Sequence, residues 1–372
     1  APLRIGGISR TTGTWPGSQW TSGAVRRIAL GFSAQTAGLA TGAHEYSLEV
    51  TNAFTGNPLT ATVVDTVMIV NRSTSYFGAG WWLAGLETWN PAPAVWIGGD
   101  GSARRYHLVV STPGSRKWGA PSITYPDTLR EVGSAFIRHL PDSVWVYFNA
   151  AGQHDSTRNR QRHVTKFGYS AGKLASITLP PAVTPTVYTL NHATPGQVSI
   201  VAPGVPAVRT TVLTIPTATG RLTTIQEPDT RTVSFGYGTD HKITARTDRR
   251  GTVTGFQYDI GNRVSRDSIA MGGSVFIKRV VTQALSAGWS GAAVAVNQVF
   301  TKLDGPRFSG TTPINTTTFY LNKYHAPDLI LDALGQSTRL GRGNASFPGL
   351  VDTLTTVTGH QVVAIYDTRG RI

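Results

Sequence analysis

Nine histidines invite a search for a metal site or a general base: His44, His107, His139, His154, His163, His192, His241, His325 and His360. No pair of them has the His-Glu-x-x-His spacing, and no dense Asp/His cluster accompanies them. His154-Asp155 has the composition of a base with its orienting acid. It follows Gly152-Gln153, however, and on such a turn a solvent-facing dipeptide is the simpler reading. A serine nucleophile on a tight elbow needs Gly-x-Ser-x-Gly, and Gly288-Trp289-Ser290-Gly291 has the wrong spacing. Gly98-Gly99-Asp100-Gly101 is glycine-rich like a phosphate loop but lacks the following Lys-Ser/Thr, so a hairpin turn accounts for it. Glycoside chemistry needs two converging carboxylates, and the 20 acidic residues are spread along the chain without naming a pair. With 0 cysteines, thiolate metal sites, cysteine nucleophiles and disulfides are excluded. The sequence therefore nominates no catalytic residue, no metal ligand and no cofactor.

What it does contain is a degenerate tandem repeat. Tyr258-Asp259-Ile260-Gly261-Asn262-Arg263-Val264 returns as Tyr366-Asp367-Thr368-Arg369-Gly370-Arg371-Ile372. Looser copies are Phe148-Asn149-Ala150-Ala151-Gly152, Phe167-Gly168-Tyr169-Ser170-Ala171-Gly172-Lys173-Leu174 and Thr219-Gly220-Arg221-Leu222. The interval from Phe148 to Tyr169 is 21 residues, as is that from Tyr237 to Tyr258. A fixed period near twenty residues means an array of small units.

Each unit reads as strand, tight turn, strand, turn. Val233-Ser234-Phe235-Gly236-Tyr237 and Val253-Thr254-Gly255-Phe256-Gln257-Tyr258 alternate large apolar residues with small or polar ones. An Asp after the aromatic can accept a backbone N–H two residues on and so start a turn. Glycine a little later supplies the positive φ that a hairpin turn requires. A second turn element has the form Asp-x-x-Gly: Asp248 to Gly251, Asp332 to Gly335, and a shortened copy at Pro228-Asp229-Thr230-Arg231 without the glycine. Two strands and two turns of ordinary length add up to about twenty residues. The expectation is an all-β chain of tandem β-hairpins with very little helix.

These motifs together resemble the RHS/YD-repeat family of bacterial secreted proteins and animal teneurins. The family pattern is Tyr-Asp-x-x-Gly-Arg followed by Leu or Val, with Asp-x-x-Gly turns between copies. Tyr366 to Ile372 follow it, with Tyr366, Asp367, Gly370 and Arg371 at the named positions. Tyr258, Asp259 and Arg263 follow it with Asn262 in place of Gly. Tyr169, Gly172, Gly220, Arg221, Tyr237, Asp248, Gly251, Asp332 and Gly335 belong to the partial copies. Phe77 to Leu86 and Gly98 to Tyr106 are similar to segments that open such shells. The resemblance covers about residue 70 to the end. It implies a long sheet that spirals into a hollow shell, often around a toxin, in a secreted or surface-exposed bacterial protein. The Asp-Pro-x-Gly signature of the family's self-cleaving members is absent, and no toxin domain is recognisable.

Composition agrees with strands and turns: 41 Gly, 21 Pro and 15% charged residues, against about 25% in ordinary domains. No run of about eighteen apolar residues is present for a membrane helix. Ala1-Pro2-Leu3-Arg4 carries neither an initiator Met nor a signal-peptide core, so the sequence reads as a piece of a longer protein. Three regions follow. Residues 1–70 are a sandwich-like lead-in, 71–145 a Trp- and Gly-rich opening segment, and 146–372 the repeat array, with an irregular stretch at 271–310.

Eight of the nine tryptophans precede residue 146. Trp81, Trp82, Trp89 and Trp96 either plug the open end of the array or form a platform for glycans. Trp81 and Trp82, if on one strand, point to opposite faces. The net charge of +14 allows binding of nucleic acid or another polyanion. Nucleic acid is disfavoured because the charges are spaced along strands; only Arg158-Asn159-Arg160-Gln161-Arg162-His163 is dense, and a solvated face accounts for it. The functional expectation is a non-enzymatic shell segment that encloses or presents a toxin cargo. Its alternatives are a surface glycan-binding module and a polyanion binder. An open, curved sheet with exposed hairpin edges would also favour self-association.

Overall fold

The computed structural model describes residues 2–12, 38–52, 56–119, 127–180, 184–204, 207–258, 264–271, 274–284, 300–304, 308–309, 312–313, 315–321, 326–347, 349–368 and 370–372, without the side chains of 2, 11 and 271–314. Among the described residues every regular element is a β-strand. None is a helix long and apolar enough to cross a membrane, which leaves membrane β-barrels unaddressed. The fold is all-β and built of antiparallel hairpins, as the period-two alternation predicts. The chain divides into two compact units, one holding Ala1–Thr11 and Phe32–Phe235, the other Gly236–Ile372.

The first unit begins with a four-stranded antiparallel sheet ordered Ile8–Thr12, Pro2–Ile5, Gly42–Asn52, Leu59–Ile69. Strict alternation puts Ile5, Tyr46, Val67 and Ile69 on one face, where they pack with Leu39. A small sheet of Thr88–Asn90, Val95–Ile97 and Ala103–Arg105 follows. From His107–Val110 to Thr232–Tyr237 each strand then pairs antiparallel with the next in sequence. Short hairpin connections make this sequential order the natural one. The core lies where residues 76–118 meet the repeat strands. Phe77, Leu86 and Leu222 pack with Leu174, Leu190, Val198 and Leu213. Trp89, Trp96, Tyr106 and Trp118 pack with Leu129, Phe136, Val146 and Phe148.

In the second unit, Ile243–Thr247 to Gln361–Val363 form a comparable succession of antiparallel strands. Two of its strands, Val253–Tyr258 and Ser337–Gly341, are half-buried on both faces. Across 271–310, where the repeat period lapses, Ser274–Ala284 pairs with Val264–Met271 on one side and Phe300–Asp304 on the other. The stretch thus contains a long hairpin arm. Ser286 to Ala293, with Trp289 and the Gly288–Gly291 motif, lie outside the described residues.

Candidate functional site

One five-residue turn recurs through both units. The N–H of its first residue donates to the carbonyl of the fifth, and the N–H of the fourth donates to the carbonyl of the first. It begins at Gly98, Asn149, Asn159, Glu227, Gly238, Asp248, Asp332, Thr356 and Asp367. The fourth residue has positive φ every time: Gly101, Gly152, Arg162, Thr230, His241, Gly251, Gly335, Gly359 and Gly370. This is a type I turn closed by a left-handed bulge residue, a favoured three-residue hairpin connection. The side chain at position one reinforces it. Asp248 Oδ1 accepts the N–H groups of Arg250 at 2.8 Å and Thr252 at 2.9 Å. Asp332 Oδ1 does the same for Leu334 and Gln336, and Asn149 Oδ1 for Ala151 and Gln153. In the last motif copy Asp367 Oδ1 accepts Arg371 N–H at 3.0 Å, and Arg371 Nε donates to Asp367 Oδ2 at 2.8 Å. The Tyr-Asp-x-x-Gly-Arg motif and the Asp-x-x-Gly element, distinct in sequence, are one turn in the structure. The shortened copy begins at Glu227, one residue before Pro228, and Thr230 takes the strained position with φ of 68°.

The tyrosines have a second job. Tyr169 Oη donates to His154 O at 2.9 Å, Tyr258 Oη to Ile243 O at 2.7 Å, and Tyr366 Oη to Val351 O at 2.7 Å. The separation is 15 residues in each case. Between each pair lies one of the five-residue turns, starting at Asn159, Asp248 and Thr356. Each phenol therefore ties shut the open end of the hairpin whose other end the turn closes. Burial raises the pKa of the Tyr169 and Tyr258 phenols, so both remain donors at ordinary pH. Tyr258→Phe is expected to destabilise the second unit by about 1 kcal/mol, the net worth of one such bond. A urea midpoint indistinguishable from the parent would show that the clamp contributes nothing.

Two motif copies behave differently. Ala171 and Gly172, with φ of 47° and 76°, form a two-residue hairpin turn after Tyr169. Gly220-Arg221-Leu222 do not start a return strand, as the repeat pattern suggests; the next strand is Thr224–Gln226. Gly220 O instead accepts Ala79 N–H at 2.7 Å, and Leu222 is buried beside Phe77. Gly78 leaves no room for a Cβ there: one would lie 2.7 Å from Leu222 N. Docking of the aromatic segment has overridden the local strand preference. Asp259, Asn262, Arg263, Arg369, His325, Trp15 and Trp20 lie outside the described residues.

The tryptophans are built into the interior. Trp89 is 0% and Trp96 6% exposed, which leaves neither ring open to a sugar, so the glycan-platform expectation is corrected at both positions. Trp81 and Trp82 do not point to opposite faces; they lie outside any strand and both pack on the Phe77 cluster. Trp81 stacks on Phe235 at 4.8 Å, and Trp82 Nε1 donates to Leu86 O at 2.9 Å.

Beneath Trp96 sits an ionic cluster that no motif announced. Arg138 is 5% exposed on its side chain; its Nε and Nη2 each reach Asp127 Oδ2 at 2.6 Å, and its Nη1 lies 3.1 and 3.0 Å from the two Glu87 oxygens. Tyr106 Oη donates to Asp127 Oδ2 at 2.6 Å and Trp96 Nε1 to Glu87 Oε2 at 2.6 Å. The guanidinium carbon of Arg138 lies 4.1 Å from the Trp96 ring centroid, and that of Arg104 lies 4.7 Å from it. The one sequence signal was a charge directly after the apolar run Ala135-Phe136-Ile137. Its partners are 11 and 51 residues distant, beyond any local pattern.

His154, which the sequence paired with Asp155 as a base with its orienting acid, is better described by its contacts than by that neighbour. It is 2% exposed, its Nδ1 accepts Glu87 N–H at 3.2 Å, and Nε2 therefore carries the proton toward Thr157 Oγ1 at 2.7 Å. Burial, the largest influence, depresses its pKa to about 4. An unfolded histidine titrates near 6.5. Between these values the unfolded chain binds a proton that the folded chain refuses, so stability falls as pH falls from about 6.5 to about 4. The slope from this one group approaches about 1.4 kcal/mol per pH unit. Urea midpoints measured across that range should show a fall that His154→Gln reduces; an unchanged pH profile in the variant would refute it. Among the described residues no group of three or more His, Asp or Glu is placed to hold a metal ion.

No family model and no curated protein matches the chain. Among solved structures it is similar to a crystal structure of TcdB2-TccC3-TEV, with 10% identity, a TM-score of 0.31, and coverage of 88% of this chain and 20% of that one. For TcdB2-TccC3 the identity is 13%, the TM-score 0.28 and the coverage 77% and 15%. For TcdB2-TccC3-Cdc42 the values are 10%, 0.26, 76% and 21%. The chain spans about a fifth or less of the length of these neighbours. Scores of this size do not establish a shared overall shape.

Proposed function

We propose that this chain is a non-enzymatic wall segment of an RHS/YD-repeat shell, secreted or displayed at a bacterial surface, that encloses or presents a toxin cargo. The observation that carries this reading is how the repeat spends its polar groups. Turn carboxylates and amides accept their own backbone N–H groups, and the tyrosine phenols close hairpins. Residues of a catalytic repeat would aim such groups at a shared cleft; here they hold the sheet to itself. A wall needs that property and no more. The aromatic segment around Trp89 and Trp96 supports the same reading, because it packs apolar bulk on the repeat strands. Cryo-electron microscopy of the purified chain tests it. Curved β-walls bordering a solvent-filled volume are expected, and solid particles without internal volume would overturn the proposal.

A further inference from the structure

The sheet face of the first unit that turns away from the Trp89 core carries four cations, two at each end of an uncharged strip. Directly opposed residues of neighbouring strands share a face. Lys117 stands opposite Arg130, Arg130 opposite Ile137, Ile137 opposite Tyr147, Tyr147 opposite Ser156, and Ser156 opposite Lys166. A parallel row on the same face runs from His139 to Trp145 to Arg158. Side chains alternate, so Trp118, Leu129 and Val146 point into the Trp89 core while these lie on the opposite face, where Ile137 and Ser156 are buried and Tyr147 is half-buried between the cations. Lys117, Arg130 and Lys166 are exposed, and Arg158 is half-buried.

Among the described residues none of these four cations has a carboxylate within 4.0 Å. Asp155, exposed at the bulge beside Ser156, brings one carboxylate near the face and accepts Ser156 Oγ at 3.0 Å. Arg158 is braced by its guanidinium carbon lying 4.2 Å from the Trp145 ring centroid, and the His139 ring stacks on Trp145 at 4.4 Å. Burial, then the charges of Arg130 and Arg158, hold the His139 pKa below its ordinary value. Like charges directly opposed across strands are destabilising, so the Lys117–Arg130 pair works against the sheet it sits on.

We propose that this face binds a linear polyanionic polysaccharide, sulfated or carboxylated, laid across the strands. Neighbouring strands are about 4.8 Å apart, which puts the strand of Arg130 about 14 Å from that of Arg158, with two strands carrying aromatic and apolar residues between. Anionic groups separated by neutral sugar rings suit two cation pairs separated by such a strip. Single-stranded nucleic acid is the weaker fit, because its binders offer open aromatic faces for base stacking. Here the Trp145 ring already carries Arg158 and His139. The proposal does not depend on whether the wall encloses a cargo.

Heparin is the probe, titrated calorimetrically into the whole chain at low salt. Arg130→Ser with Lys166→Ser is expected to weaken binding at least tenfold. Arg160→Ser with Arg162→Ser removes the same charge from an exposed turn and is expected to change it less than threefold. Equal losses in the two variants would reduce the effect to net charge and overturn the site. Equal or tighter binding of an oligothymidylate of matched charge would overturn the choice of polysaccharide. If the first variant fails to fold by circular dichroism, Lys117→Ser with Lys166→Ser carries the same prediction.

Discussion

Replacing Gly152 by Ala is expected to destabilise the first unit by about 3–4 kcal/mol. Two effects combine. The residue sits at the fourth position of its turn with φ of 74°, where a Cβ is disfavoured by about 1–2 kcal/mol. The same Cβ would lie 1.8 Å from Trp89 O, in a contact that backbone alone makes on both sides. Trp89 N–H donates to Gly152 O at 2.8 Å, and Thr88 bridges to Gln153, so neither strand can step aside without losing the pairing. Gly172→Ala is the control in the same unit: φ is 76° and nothing lies within 4 Å of its Cβ, so only the backbone cost of about 1–2 kcal/mol applies. Calorimetric unfolding of both variants decides the point. Equal losses would show that the aromatic segment does not press on the repeat strand.

Arg138→Ala should be comparably severe. Removing one partner from a buried ion pair typically costs about 3–5 kcal/mol, because the remaining charge is left without compensation. Asp127 is 3% exposed on its side chain and one of its oxygens, Oδ1, already has no hydrogen-bond partner. Without Arg138, Asp127 would keep the Tyr106 hydroxyl and Arg104 Nη1 at 3.7 Å, too little for a buried carboxylate. Adding Asp127→Asn to Arg138→Ala removes the orphaned charge and should recover part of the loss. A thermal midpoint that falls no further in Arg138→Ala than in a surface variant such as Arg105→Ala would contradict this account.

A milder effect is expected in acid from Glu131. Arg116 donates to it through Nε at 2.9 Å and Nη2 at 2.8 Å, and these bonds lower the Glu131 pKa to about 2. An unfolded glutamate titrates near 4.3. The stabilisation is therefore complete above that value and lost as pH falls toward about 2. Arg116→Gln should flatten the acid limb of the stability profile between those limits, and an unaltered limb would count against it.

The sequence by itself determined the hairpins, the turns and the all-strand character of the described residues. These depend on alternation over a few residues and on hydrogen bonds that open and close within five, as at Asp248 to Thr252 and Asp332 to Gln336. Aromatic period and turn glycines are local quantities, and a repeat states them many times over. That Tyr258 would bond a carbonyl 15 residues back was nearly legible, because the distance is one hairpin long. Tertiary structure alone decided the rest. Gly152 and Gly251 occupy the same place in the same turn, yet a Cβ on one meets Trp89 and on the other meets open space. Gly220-Arg221-Leu222 carries a repeat signature and leaves the sheet to receive Ala79. Arg138 finds Glu87 from 51 residues away. Which faces come together across such separations is set by packing of whole segments, and no local pattern of residue types encodes it.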